Sequence, residues 1–257
     1  MIHPSAVIDA TAELHPDIEV GPYAVIGAQV RIGRGCRIGP HAVLRGPSDI
    51  GEDNRIFQFA SVGEAPQDKK YGGEGTWLII GDRNVIREFA TVHRGTVQDR
   101  GVTRIGCDNL FMAYTHVAHD CRVGNHVILA NAASIGGHVE VQDWAVLGGF
   151  TIVHQFCRIG AHCFTAMGSV VRQDVPPFVM VAGHPAVPRG INREGLRRRQ
   201  FSPALVRAIQ RAYRLLYRAN LVTEEAVAAI RELAVDYPEL LSLADFVHHS
   251  TRGILRA

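Results

Sequence analysis

Four histidines lie within forty residues of one another, His116, His119, His138 and His154, and Asp120 and Gln155 share their segment. A neutral imidazole can take a proton from a hydroxyl, and an adjacent carboxylate such as Asp120 fixes its tautomer and stabilises the imidazolium that forms. With a backbone N–H to hold a developing oxyanion, those groups would suit acyl transfer. Histidines converging between chains could instead hold zinc. The positions around them offer Asp, Gln and Gly rather than a third matched imidazole, so no metal and no cofactor are expected. A polar corner built from turn-forming histidines is the bland alternative. Of the thirteen histidines in the chain, His3, His15, His41, His126 and His162 sit at turn-like or surface positions and are expected to be structural or solvent-exposed.

The elements that must position these groups follow from a period of six. Stepping from Ile2 gives Ile8, Leu14, Val20, Ile26, Ile32, Ile38, Leu44, Ile50, Ile56 and Val62. The frame resumes at Ile80, Ile86 and Val92, slips by one, and runs from Ile105 to Val171. Only Phe111 and Thr165 among its positions are not Ile, Leu or Val. The next residue is often glycine, as at Gly21, Gly33, Gly106, Gly136 and Gly160, and the fourth after each frame position is usually small. A six-residue period is neither helical nor a simple alternation. Short strands joined by turns, three hexads to one triangular coil, satisfy it, so that each aliphatic stacks on the one eighteen residues later. The expected fold class is a left-handed parallel β-helix of hexapeptide repeats followed by a C-terminal α-helical domain, divided as 1–186 and 187–257.

Eighteen-residue arithmetic places His119, Gly137 and Gln155 in one column, with His138 over Asp120 and His154 beside the Gln155 column. A glycine above a histidine leaves that coil's N–H uncovered. Cys121 lies near the histidines, but with Cys36, Cys157 and Cys163 it falls in the small, inward column, which makes it a buried hydrophobe. Two stretches without repeat character, near 63–79 and 93–104, read as loops thrown from a corner, and the first carries Lys69 and Lys70, the only lysines. After Val171, Ser202 followed by Pro203 reads as a helix start, with Leu205, Ile209, Ala212 and Leu216 on one face; further helices are expected from Thr223 and after Pro238.

Composition removes other classes. The chain has 257 residues, 47% apolar and 20% charged, enough for a sizeable core and unlike a disordered chain. No apolar run reaches the ~20 residues of a membrane span, and no signal peptide is read, so a cytoplasmic location is expected. Five cysteines without CxxC spacing support neither a disulfide framework nor a zinc ribbon. The formal net charge of +2 is too small to argue for nucleic acid, although the arginines concentrate in the helical end.

Several strings together carry a resemblance. They are His116-Val117-Ala118-His119-Asp120-Cys121, Ile128-Leu129-Ala130-Asn131, Val153-His154-Gln155-Phe156, Gln67-Asp68-Lys69-Lys70-Tyr71, Ile86-Arg87-Glu88, His93-Arg94-Gly95-Thr96 and Gly195-Leu196-Arg197-Arg198-Arg199. Over essentially its whole length the chain resembles the UDP-N-acetylglucosamine 3-O-acyltransferases that begin lipid A synthesis. The resemblance implies a homotrimer with sites between neighbouring β-helices, and (R)-3-hydroxyacyl acyl carrier protein as donor. His119 would be the general base oriented by Asp120, and the Gly137 N–H the oxyanion donor. It further implies that His116, His138, His154 and Gln155 line the sugar and acyl site, that Asp68 and Lys70 reach in from the loop, and that Asn192, Glu194, Arg198 and Arg199 hold the nucleotide. Met167 stands where long-chain members carry glycine, which implies a decanoyl-class acyl chain. A zinc enzyme like the γ carbonic anhydrases and a non-enzymatic β-helix scaffold are the alternatives.

Overall fold

The computed structural model describes residues 1–256. Most strands of the coil are only two residues long, and they stack into three sheets of nine, eight and ten strands. The pairing is parallel with an eighteen-residue step, as in Val7 to Val25 to Val43 to Ser61 and in His116 to Ser134 to Ile152 to Val170. This three-sided parallel coil is consistent with the left-handed β-helix expected. Its frame aliphatics, among them Ile26, Leu44, Val62, Val117, Ile135 and Val171, are buried along the axis, each contributing about 1.5–3 kcal/mol of hydrophobic stabilisation. The two irregular frame residues are accommodated: Phe111 is fully buried, and Thr165 hydrogen-bonds Thr151 through their hydroxyls at 2.7 Å.

The small-residue column also points inward. Cys36, Cys121, Cys157 and Cys163 are buried free thiols, and burial pushes Cys121 up to about 12, which removes it as a nucleophile at neutral pH. Three asparagines of this column, Asn54, Asn84 and Asn109, form a buried ladder. Asn54 Oδ1 accepts the Asn84 N–H at 2.9 Å, Asn84 Oδ1 the Asn109 N–H at 3.0 Å, and Asn109 Oδ1 the Val127 N–H at 2.7 Å. Their amides donate to the carbonyls of Gly81, Gly106 and Gly124. Every polar group brought into the core by these residues is thereby paired.

Each corner turns through a residue with positive φ that is commonly not glycine, such as Tyr114, Asp120, His126, His138, Trp144 and His162. These corner side chains stack from coil to coil. One corner carries Tyr23, His41, Phe59, Phe89 and Tyr114 with ring centroids 5.0–5.3 Å apart. A second carries Asp120, His138 and Phe156, the last two rings 4.3 Å apart. The third carries His126, Trp144, His162 and Phe178. The turn-like histidines 41, 126 and 162 are thus stacking members. Burial, then the nearby Arg199, push His162 down to about 4, so it stacks as a neutral ring.

Both loops are insertions at coil corners. Ser61 pairs with Thr91 thirty residues on, and Thr91 with His116 twenty-five on, in place of eighteen. After Val170–Val171 the strand Val179–Gly183 continues one sheet and pairs antiparallel with Ala186–Ile191, carrying the sheet across position 186/187. The helices follow: α1 (Arg193–Arg198), α2 (Pro203–Tyr217), α3 (Thr223–Leu233) and α4 (Leu241–His248). Ser202 Oγ accepts the Leu205 N–H at 3.2 Å as the N-cap, and Leu205, Ile209, Ala212 and Leu216 are all buried. The spacing did not anticipate α1, whose start is set by Asn192 Oδ1 accepting the Gly195 N–H. No helix among the described residues is long and apolar enough to cross a membrane.

The ladder makes a stability prediction. Asn84→Ala strips the Asn109 N–H and two buried carbonyls of their partner, at about 2–4 kcal/mol. The thermal midpoint should fall by several degrees, while Glu232→Ala, on the exposed face of α3, leaves it in place. Equal midpoints for the two variants would contradict the ladder's role.

Candidate active site

The second corner opens onto a cleft of about 600 Å³ lined by Asp68, Lys70, His119, Asp120, His138 and Gln155, together with Arg100, Arg122, Glu140, Phe156 and Arg158. His119 and Asp120 occupy a turn, so the two adjacent side chains meet: Nδ1 of His119 donates to Oδ2 of Asp120 at 2.8 Å. Its other ring nitrogen, Nε2, is left as an acceptor in the neutral tautomer. Gly137 lies one coil above. A Cβ there would stand 2.6 Å from Cε1 and 2.8 Å from Nε2 of His119, so only glycine leaves the ring its place. Among the described residues the Gly137 N–H makes no backbone hydrogen bond.

Asp120 is 4% exposed. Burial alone would raise its pKa, but the hydrogen bond from His119 and two from Thr96 outweigh that and hold it below the usual carboxylate range. Its backbone N–H donates to Thr103 Oγ1 at 2.8 Å. His138 stacks on Phe156, and its Nδ1 lies 3.1 Å from Asp99 Oδ2, which turns Nε2 toward Asp120 at 3.9 Å. His119, Asp120 and His138 present one donor atom each within 4.8 Å of one another, a set with the chemistry to hold a divalent metal. Within this group, His119 Nδ1 and Asp120 Oδ2 already satisfy each other.

His116, on the strand that precedes the His119 turn, is not among the residues lining the cleft. It hydrogen-bonds Thr91 Oγ1 at 2.7 Å and meets the buried His93 edge-on at 4.9 Å. Burial, then the neighbouring His116, push His93 down to about 4, and burial lowers His116 as well. His93 was not among the sequence candidates. Thr96, Asp99, Arg122 and Arg158 were missed as well. The loop residues were hidden by the frame slip at 93–104, while Arg122 and Arg158 each open a two-residue strand at an ordinary position of the repeat. The loop bearing Asp68 and Lys70 is anchored by Arg94, whose Nη1 donates to the Gly46 and Gly63 carbonyls and Nη2 to Tyr71.

The remaining predicted residues lie elsewhere on the chain. Asn192 donates through Nδ2 to the His162 carbonyl at 2.9 Å, at the third corner. Arg199 lies 4.8 Å over the Trp144 ring of that corner and donates to the Trp144 carbonyl. Glu194 pairs with Arg197 and Arg198 on the exposed face of α1. His154 is exposed, its Nδ1 3.0 Å from the Gln155 carbonyl and 3.4 Å from Arg252. Met167, in the turn beyond Thr165, is 76% exposed. One chain therefore brings together the His119 half of the expected site and, at a different corner, the Asn192 and Arg198 half, without joining them.

Comparison with known proteins agrees with this architecture. The hexapeptide transferase model matches residues 103–137, and the model for domain 2 of UDP-N-acetylglucosamine O-acyltransferase matches residues 174–255. The acyl-[acyl-carrier-protein]–UDP-N-acetylglucosamine O-acyltransferase of Janthinobacterium sp. (strain Marseille) is 56% identical over 260 residues, covering 100% of this chain and 99% of its own. The crystal structure of the Francisella novicida UDP-N-acetylglucosamine acyltransferase superposes with a TM-score of 0.97 at 42% identity, over 100% of this chain and 94% of that one. The Moraxella catarrhalis UDP-N-acetylglucosamine O-acyltransferase gives a TM-score of 0.96 at 42% identity, over 99% of both chains. From the eighteen-residue coil through its His119 corner to the helical tail, the chain belongs to the acyl-[acyl-carrier-protein]–UDP-N-acetylglucosamine O-acyltransferase family.

Proposed function

We propose that this enzyme moves a (R)-3-hydroxyacyl group from acyl carrier protein to the 3-hydroxyl of UDP-N-acetylglucosamine, the first step of lipid A synthesis, in the cytoplasm. The observation that carries the mechanism is the His119–Asp120 pair lying under a glycine that no side chain can replace without moving the imidazole. His119 Nε2 takes the proton of the sugar 3-hydroxyl as its oxygen attacks the thioester carbonyl. The tetrahedral oxyanion is held by the Gly137 N–H. As the intermediate collapses, the C–S bond breaks and the leaving carrier thiolate takes the proton back from the imidazolium. Asp120, held anionic, stabilises that imidazolium and keeps Nδ1 protonated.

The division of candidate residues between two corners supports a homotrimer whose sites form between chains. Asp68, Lys70, His116, His138, His154 and Gln155 of one copy would face Asn192, Glu194, Arg198 and Arg199 of a neighbour. Guanidinium forks suit a nucleotide diphosphate. The exposed stack of Tyr23, Phe59, Phe89 and Tyr114 is the apolar surface such an assembly would cover. The arginine-rich tail carries the charge to attract an acidic carrier. Zinc-dependent chemistry through His119, Asp120 and His138 is the second reading; full acyl transfer in excess chelator would exclude it.

Two measurements test this account. In a coupled assay, His119→Ala and Gly137→Ala should each lose at least ~10²-fold in kcat, with chain assembly intact by sizing. Activity near wild type for either variant would remove that residue's assigned role. Met167 should end the acyl groove early, so the wild-type enzyme should prefer a 3-hydroxydecanoyl over a 3-hydroxymyristoyl donor, and Met167→Gly should shift the preference toward the longer chain. A wild-type preference for myristoyl would contradict the assignment.

A further inference from the structure

The loop at 93–104 breaks the repeat immediately before the coil that carries His119, and it enters that coil from beneath. Its Thr96 is fully buried, and both of its donors go to one carboxylate: the Thr96 N–H reaches Asp120 Oδ1 at 2.9 Å and the Thr96 hydroxyl reaches Oδ2 at 2.7 Å. The loop is tied where it does this. Gly95 donates to the Trp77 carbonyl, Gly101 donates to the Thr96 carbonyl at 3.0 Å, and a Cβ on Gly95 would run into the backbone of Val102 and Gly101. Without the hydroxyl, the carboxylate would be fixed to the loop at one oxygen and free to turn away from His119.

We infer that Thr96 is a positioning residue for the acyl transfer, holding the Asp120 carboxylate in the rotation at which Oδ2 accepts the His119 Nδ1–H. The inference rests on the reading of His119 as general base. The insertion places the residue that does this: seven residues beyond the eighteen-residue step separate Thr91 from His116, and among them Thr96 meets Asp120 with two donors. It also explains how a buried carboxylate in contact with two histidines stays ionised, because four acceptor positions receive three hydrogen bonds. The titratable groups facing Asp120 are His119 and His138, with Asp99 behind His138.

The test compares steady-state kinetics of the full-length enzyme with UDP-N-acetylglucosamine and 3-hydroxydecanoyl carrier protein for Thr96→Val, Thr96→Ser and His119→Ala. Valine keeps the shape and the N–H but removes the hydroxyl; serine keeps both donors. Thr96→Val should lower kcat about tenfold or more with KM changed less than about threefold, the loss expected of one hydrogen bond to a charged group, and Thr96→Ser should restore kcat to within about threefold of wild type. Thermal midpoints accompany the kinetics, and Thr96→Ala replaces the valine variant if that one does not fold. Undiminished kcat in Thr96→Val, an equal loss in Thr96→Ser, or a loss confined to KM would overturn the inference. If His119→Ala is inactive while Thr96→Val is fully active, only the role of Thr96 falls; if His119→Ala is active, the general-base reading falls with it.

Discussion

A strand of two residues cannot persist alone, and most strands in this coil are that short. What holds each one is an aliphatic side chain pointing to the axis every sixth residue, stacked on its counterpart a full coil away. The requirement is geometric before it is energetic. A coil of any other length would break the vertical stack, so insertions can leave only at corners and must return to the same frame, as the two loops do. The asparagine ladder and the buried cysteines occupy the companion inward column under the same rule, polar groups being admitted where a neighbouring coil offers each donor and acceptor a partner.

The same constraint builds the site. Corner residues repeat at one height per coil, so a histidine, a glycine and a glutamine separated by eighteen residues stand in a column, and the stiffness of the stacked coils fixes their spacing. Adjacent corner positions put His119 and Asp120 in direct contact without any tertiary folding. Burying a carboxylate carries a penalty of several kcal/mol unless it is well hydrogen-bonded. Here the compensating donors are His119 and, from one of the two loops where the coil departs from its period, Thr96.

This explains which parts were legible in the sequence. The β-helix, the inward cysteines, the column of His119, Gly137 and Gln155, and the α2 cap at Ser202 all follow from periodic or local rules, and a periodic rule can be read from one sequence. Thr96, Asp99 and His93 lie on or beside a loop whose path is decided by contacts with distant coils, so no spacing reveals them. The helix α1 was missed because it is six residues long and carried by a single cap. The left-handed corner residues gave a mixed signal: their histidines read correctly as turn positions, but the stacking that selects aromatic partners runs between coils and is visible only in space.

The division of the expected site between two corners is the feature on which the functional account turns. If the His119 corner of one copy works with the Asn192 and Arg198 segment of another, two differently disabled chains should repair each other. The most direct measurement is acyl transfer by co-expressed His119→Ala and Arg198→Ala chains, each inactive alone. Random mixing in a trimer should give about a quarter of the sites one intact half from each chain and recover activity in that proportion. A mixed assembly as inactive as its parents would contradict a site shared between chains.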